Sequence, residues 1–228
     1  MTARERPILF GAPMVRAILE GRKTQTRRVV KAPRGHELVN LRESEGDHSY
    51  SGLFNDPTSW GYPFFDDCAP AVLAHWPELC PYGQPGDRLW VRETWAHVPA
   101  SAYRYSDGVQ QTVCPSDPDM AAVYAAGWDR SKPGRWRPSI HMPRWASRID
   151  LEVTVVRVER LQDISEADAI AESIQASKDG HGFHTEDGRH YWSNAVGAYC
   201  SQWESINGPD SWTANPWVWV VEFRRVKP

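Results

Sequence analysis

Apolar positions fall into short blocks whose spacing predicts a sequence of elements. Pro7 to Phe10 is a compact apolar block with strand character. From Ala12 to Glu20 the apolar residues Met14, Ala17 and Ile18 form one helical stripe, with Pro13 in the first turn, where its missing N–H costs nothing. Gly21 then marks a helix stop, because glycine enters the left-handed conformation without a Cβ penalty. The following stretch to Lys31 carries β-branched Thr24, Thr26, Val29 and Val30 and predicts a strand. Thr26 and Arg28 share one face of that strand and Gln25 and Arg27 the other, with Lys23 at the turn leaning toward Thr26.

Further along, Arg88 to His97 predicts a single strand with Leu89, Val91, Glu93 and Trp95 on one face. Ala121 to Ala126 predicts a short strand, and Met142 to Ala146 one helical turn. Ile149 to Leu161 gives the clearest alternation, through Leu151, Val153, Val155 and Val158. Ser165 with Asp168 resembles a capping box opening a helix that runs to about Ile174. Tyr191 to Ile206 predicts a second helix with Ala195, Tyr199, Trp203 and Ile206 on one side, and Pro216 to Val226 a closing strand. The strands do not alternate regularly with crossover helices. That disfavours a parallel α/β sheet and points to an α+β fold, a small mixed barrel decorated with helices. The Gly-, Pro- and Ser-rich stretches at about 32–81 and 98–148 read as insertions into a single domain spanning 1–228.

Composition narrows the function classes. Hydrophobic content of 41% supports a core, and no run approaches a membrane span. The first residues lack a signal-peptide pattern, and the four cysteines are too widely spaced for a disulfide framework, so a cytoplasmic protein with reduced thiols is expected. Cys68 and Cys80 with His75 between them hint at zinc, but free thiols are preferred and no metal or other cofactor is expected. The net charge of −3 excludes a general polyanion binder. Two basic tracts stand out, residues 22–34 and 130–148, and tryptophans lie beside arginines at Trp90, Trp136 and Trp145. A local basic cavity suits a small polar or anionic ligand, or a short stretch of nucleic acid, with ring and guanidinium stacking on a base.

The sequence Gly21-x-Lys23-x-x-Thr26-x-Arg28, placed after a short helix, resembles the signature of the ASCH family of the PUA-like superfamily. The turn and strand at Gly86 to Val91, the strand–helix at 151–173 and the last strand follow in that family's order, and full-length similarity looks closest to the larger phage and prophage ASCH proteins. The resemblance implies a PUA-like β-barrel with flanking helices and a positively lined cleft that binds RNA or nucleotides. One small bacterial branch, similar in its Lys-x-x-Thr, hydrolyses the amide on the exocyclic nitrogen of N(4)-acylcytidines with a lysine, a threonine and a glutamate. By that likeness Lys23 and Thr26 are catalytic, with Glu172 as third member and Glu166 as the fallback if the register slips.

The chemistry is sensible on its own terms. A hydroxyl needs a base to become a nucleophile. A lysine crowded by arginines and partly buried has its pKa lowered, so its neutral amine can act. A carboxylate can relay the proton to the leaving amine, and Arg28 can hold the developing oxyanion. Arg144 and Trp145 are candidates to clamp a pyrimidine. Glu93 reads either as a cleft carboxylate or as an ion-pair partner across a sheet, and His141 either as a general base or as a loop histidine bonded to backbone. Arg22 and Arg27 are expected to face water. The expected substrate is a modified cytidine nucleoside or base, free or within RNA, with no membrane partner. The rival readings are a non-catalytic nucleic-acid-binding module and an RNA-cleaving ASCH protein.

Overall fold

The computed structural model describes residues 3–31, 80–178, 180–185, 188 and 191–226. The insertion expected at about 32–81 therefore lies outside the described residues, apart from Cys80 and Pro81. Within them the chain is α+β, with more strands than helices. Strand β1 (Glu5–Leu9) leads into helix α1 (Ala12–Leu19), and β2 (Gln25–Val29) follows. Next come β3 (Arg88–Arg92), β4 (Trp95–Pro99), β5 (Thr112–Cys114), β6 (Asp117–Tyr124) and the long β7 (Asp150–Arg160). Helix α2 (Glu166–Ala171), the short strands β8 (Gln175–Ala176), β9 (Phe183–His184) and β10 (Tyr191–Trp192), helix α3 (Ala195–Asn207) and β11 (Trp217–Val226) complete it.

The central sheet has the order β1-β3-β7-β11-β2, with β1 and β3 parallel and the other pairs antiparallel. It is open among the described residues, β1 and β2 being its two edges, where a closed mixed barrel was expected. Strand β11 explains the layering, because its residues alternate between two cores. Trp219, Val221 and Phe223 pack with Ile8, Val15 and Ile18 on the α1 side, while Val218 and Val220 pack with Ala169, Ala198, Tyr199 and Trp203 of the other two helices.

Several boundaries differ from the expected ones for identifiable reasons. The strand predicted over Arg88 to His97 is two strands in two different sheets: β3 joins the central sheet, and β4 pairs with β6 in a separate β4-β6-β5 sheet. The break comes at Glu93–Thr94, where the Glu93 carboxylate is drawn inside by Arg148. The alternation in β7 slips as well. Opposite Glu222 and Phe223 the register shifts, so Val156 is buried and Val155 is exposed. One extra residue in a strand reverses the facing of everything beyond it. The loop expected at 98–118 contains β5 and the start of β6, while the helical turn expected at Met142 to Ala146 is present as the 3-10 turn Arg144–Ala146, with a second 3-10 turn, Ser139–His141, just before it.

Candidate active site

Helix α1 ends as its sequence predicts. Gly21 adopts φ 76°, its N–H bonds to the Ile18 carbonyl, and the N–H groups of Arg22 and Lys23 both reach the Ala17 carbonyl. This wrap turns the Lys23 side chain inward, and the Thr24 N–H then bonds to Ala171 O at the end of α2. Helix α2 ends in the same motif, with N–H bonds from Ser173 to Ile170 O and from Ile174 to Ala169 O. Here a serine takes the positive-φ position, at 93°. The two helix ends meet, which brings Lys23 to Glu172, the C-cap of α2.

Lys23 Nζ donates to Glu172 Oε2 at 2.5 Å and to the Glu172 carbonyl at 3.0 Å, with both side chains buried. Nζ also lies 5.8 Å from the centroid of the Phe10 ring. Burial lowers the lysine's pKa below its ordinary value. Glu172 opposes that shift, and the charges of Arg28 and Arg27 reinforce it.

Thr26, Glu172, Arg28 and Arg27 line one cavity of about 270 Å³ beside the edge strand β2. Its other walls include Met14 of α1 and Tyr199, Gln202 and Trp203 of α3. Because β2 is an edge, both of its faces contribute. Lys23 lies behind Glu172 and does not line the cavity. Among the described residues the Thr26 hydroxyl has no hydrogen bond, so it is not joined directly to the lysine amine. Arg28 Nη2 donates to Leu9 O at 2.7 Å, and its guanidinium sits 5.3 Å from the Phe10 ring centroid.

Arg27 corrects the expectation that it faces water. It is 3% exposed, with Nε and Nη2 on Glu159 Oε1 at 3.1 and 2.5 Å, Nη2 3.3 Å from Asp168 Oδ2, and Nη1 3.6 Å from Glu172 Oε1. Arg157 pairs with two of these acids, Glu159 and Asp168, and with Glu222. Arg22 is half-buried and pairs with Glu20 at 2.5 Å. Glu166, the alternative third group, accepts from the Ala195 and Val196 N–H groups at 2.7 and 3.3 Å. It caps α3 rather than entering the cavity.

The remaining candidates do not line this cavity. Glu93 is buried and clamped by Arg148 at 2.8 and 2.9 Å, and burial raises its pKa against that partner's pull. Arg144 pairs with Glu5 and Asp150, each at 3.0 Å. Trp145 is half-buried against Trp95 and His97, with ring centroids 5.9 and 5.8 Å away. His141 is exposed at the end of a 3-10 turn. Missing from the sequence reading were Arg27 as a cavity residue and the α3 wall. Tyr199 and Trp203 fall on one helix face, and that spacing is the available signal. Burial pushes the Tyr199 phenol far above its ordinary pKa, so it presents a neutral hydroxyl.

Among the described residues no three His, Cys, Asp or Glu side chains gather as a metal site, and no helix is long and apolar enough to cross a membrane. Compared with known proteins, the chain matches no family model, no curated sequence and no solved structure.

Proposed function

We propose that the cavity beside β2 is the active site of a PUA-like ASCH enzyme, a metal-independent amidohydrolase that removes the acyl group from the exocyclic amine of N(4)-acylcytidine-type nucleosides. One observation carries the reading. Residues far apart in the chain meet here, with Thr26 and Glu172 lining one cavity and Lys23 bonded to Glu172. The resemblance of residues 21–28 to the ASCH motif supports the assignment.

In this mechanism Thr26 Oγ attacks the acyl carbon while the neutral Lys23 amine accepts the hydroxyl proton, with substrate drawing the two groups together. Arg28 opposes the charge on the acyl oxygen, a contribution for which a preorganised cation is worth roughly 3–4 kcal/mol. The carbon–nitrogen bond then breaks, and the leaving exocyclic nitrogen receives the proton through Glu172, freeing cytidine. Water hydrolyses the acyl-threonine ester, releasing the carboxylic acid and restoring Thr26.

The direct test follows cytidine release from N(4)-acetylcytidine for the wild type, Lys23→Ala and Thr26→Ala. Release by wild type alone supports the mechanism. Undiminished release by Thr26→Ala leaves the enzyme and removes the nucleophile. No release from any acylcytidine, with salt-sensitive RNA binding, gives the site to a binding module instead.

A further inference from the structure

The cavity beside β2 carries more positive charge than its own acid answers. Among the described residues Glu172 is the one carboxylate in its lining, and it is already met by Lys23 at 2.5 Å and by Arg27 at 3.6 Å. Arg27 in turn is spent on Glu159 and Asp168, at 2.5 and 3.3 Å. Two further cations line the same space, Arg28 and Lys31. Arg28 is half-buried and gives Nη2 to a neutral acceptor, Leu9 O, and Lys31 is exposed. Among the described residues neither meets a carboxylate. Two like charges at one opening, with nothing to offset them, raise the local concentration of anions. An N(4)-acylcytidine is neutral and leaves that field unused.

Position decides which part of a ligand meets the lysine. Val30 prolongs the pairing of β2 through its N–H bond to Trp217 O at 2.9 Å, so the chain is extended from Thr26 as far as Lys31. Five extended residues put the Lys31 Cα about 16 Å from that of Thr26, and the four-carbon lysine stem closes part of the gap. The cavity, at about 270 Å³, lies near the ~300 Å³ at which ligand pockets begin, room for one base and its sugar. With the acyl group at Thr26 and the ring inside, the sugar extends along β2 toward the exposed lysine.

We propose that Lys31 is a phosphate-binding residue, and that the substrate is an acylcytidine mononucleotide rather than the neutral nucleoside. An ammonium serves a phosphate as a point charge, without the fixed fork that a guanidinium needs. Arg28 stays with the acyl oxygen, and its charge helps to draw the anion in. Lys31 lies outside the Gly-x-Lys-x-x-Thr-x-Arg pattern, so this property belongs to the present chain. The inference rests on the cavity being the active site proposed above.

The experiment compares hydrolysis of N(4)-acetylcytidine and of its 5′- and 3′-monophosphates by the full chain, for the wild type, Lys31→Ala and Lys31→Arg. Cytidine and its two monophosphates are titrated in parallel by calorimetry. Lys31 is exposed, so neither variant disturbs the core. For one of the monophosphates KM should lie at least about tenfold below that of the nucleoside, with kcat within about threefold. The gap in KM should shrink below about threefold in Lys31→Ala, persist in Lys31→Arg, and close as salt is raised to about 0.5 M. Equal KM for the nucleoside and both monophosphates, or a preference that survives Lys31→Ala, overturns the inference and leaves the enzyme. If no acylated compound is hydrolysed the enzyme reading falls. Tighter binding of a cytidine monophosphate than of cytidine, lost in Lys31→Ala, would then still uphold the phosphate site, and its absence would remove both.

Discussion

The Lys23–Glu172 pair invites a double-mutant cycle. Its side chains are 0% and 3% exposed and 2.5 Å apart, so neither partner can turn to water when the other is lost. Lys23→Met keeps an unbranched side chain of similar length beside the Phe10 ring and leaves the carboxylate facing Arg27, at 3.6 Å. Glu172→Leu strands a buried ammonium near two arginines. Breaking a buried pair from one side costs about 3–5 kcal/mol, whereas replacing both members by apolar residues of similar volume is neutral or stabilising. Each single variant should therefore lose about 3–5 kcal/mol in urea unfolding at pH 7, and at about 2–4 °C per kcal/mol its midpoint should fall by ~6–20 °C. The combined Lys23→Met/Glu172→Leu variant should return to within about 1 kcal/mol of the wild type, because Arg27 keeps Glu159 and Asp168. Single losses that simply add, to within about 0.5 kcal/mol, would refute the reasoning.

Other outcomes follow from the same geometry. If the neutral Lys23 amine is the base, kcat/KM for an acylcytidine should rise with pH and level off above a pKa below the ordinary 10.5, since burial lowers it. Glu172→Gln should move that rise to lower pH, whatever it does to the maximum rate, because Glu172 is what holds the lysine's pKa up. Between the lowered folded pKa and 10.5 the unfolded chain holds a proton that the folded chain lacks, so Lys23 makes stability increase with pH there. Ser173→Gly should raise the melting temperature by ~1–4 °C, about 0.5–1 kcal/mol, by relieving the positive φ and removing a buried hydroxyl without a partner; a lowered midpoint would show that the serine is needed. Val155→Thr should change stability by less than about 0.5 kcal/mol, whereas Val156→Thr should cost about 1–3 kcal/mol, an order that equilibrium unfolding would invert if β7 carried no register shift.

The parts of this molecule visible in its sequence are those set by neighbours along the chain. Gly21 ends α1 by its own backbone freedom, Ser165 and Asp168 cap α2 by their spacing, and β11 shows its two faces in its period of two. Lys23, Thr26 and Glu172 were visible only by likeness to a motif, because nothing local says that the ends of α1 and α2 meet. Arg27 was misjudged since strand periodicity gives its face but not what covers that face. Three carboxylates from β7 and the α2 region cover it. The slip at Val155 was hidden for a related reason, as a bulge arises from pairing with a partner strand and leaves the apolar count unchanged.

Helix α2 carries an acid at each end with a different duty. Glu166 holds the first N–H groups of α3, the helix that supplies the Tyr199 and Trp203 wall, and Glu172 holds Lys23. The helix therefore acts as a spacer about 9 Å long between the cavity wall and Lys23. Inserting one residue within it would rotate one acid by roughly 100° relative to the other, so the wall and Lys23 could not both stay in place. The chain can tolerate a change of length in the turn after β4 far better than in these six residues.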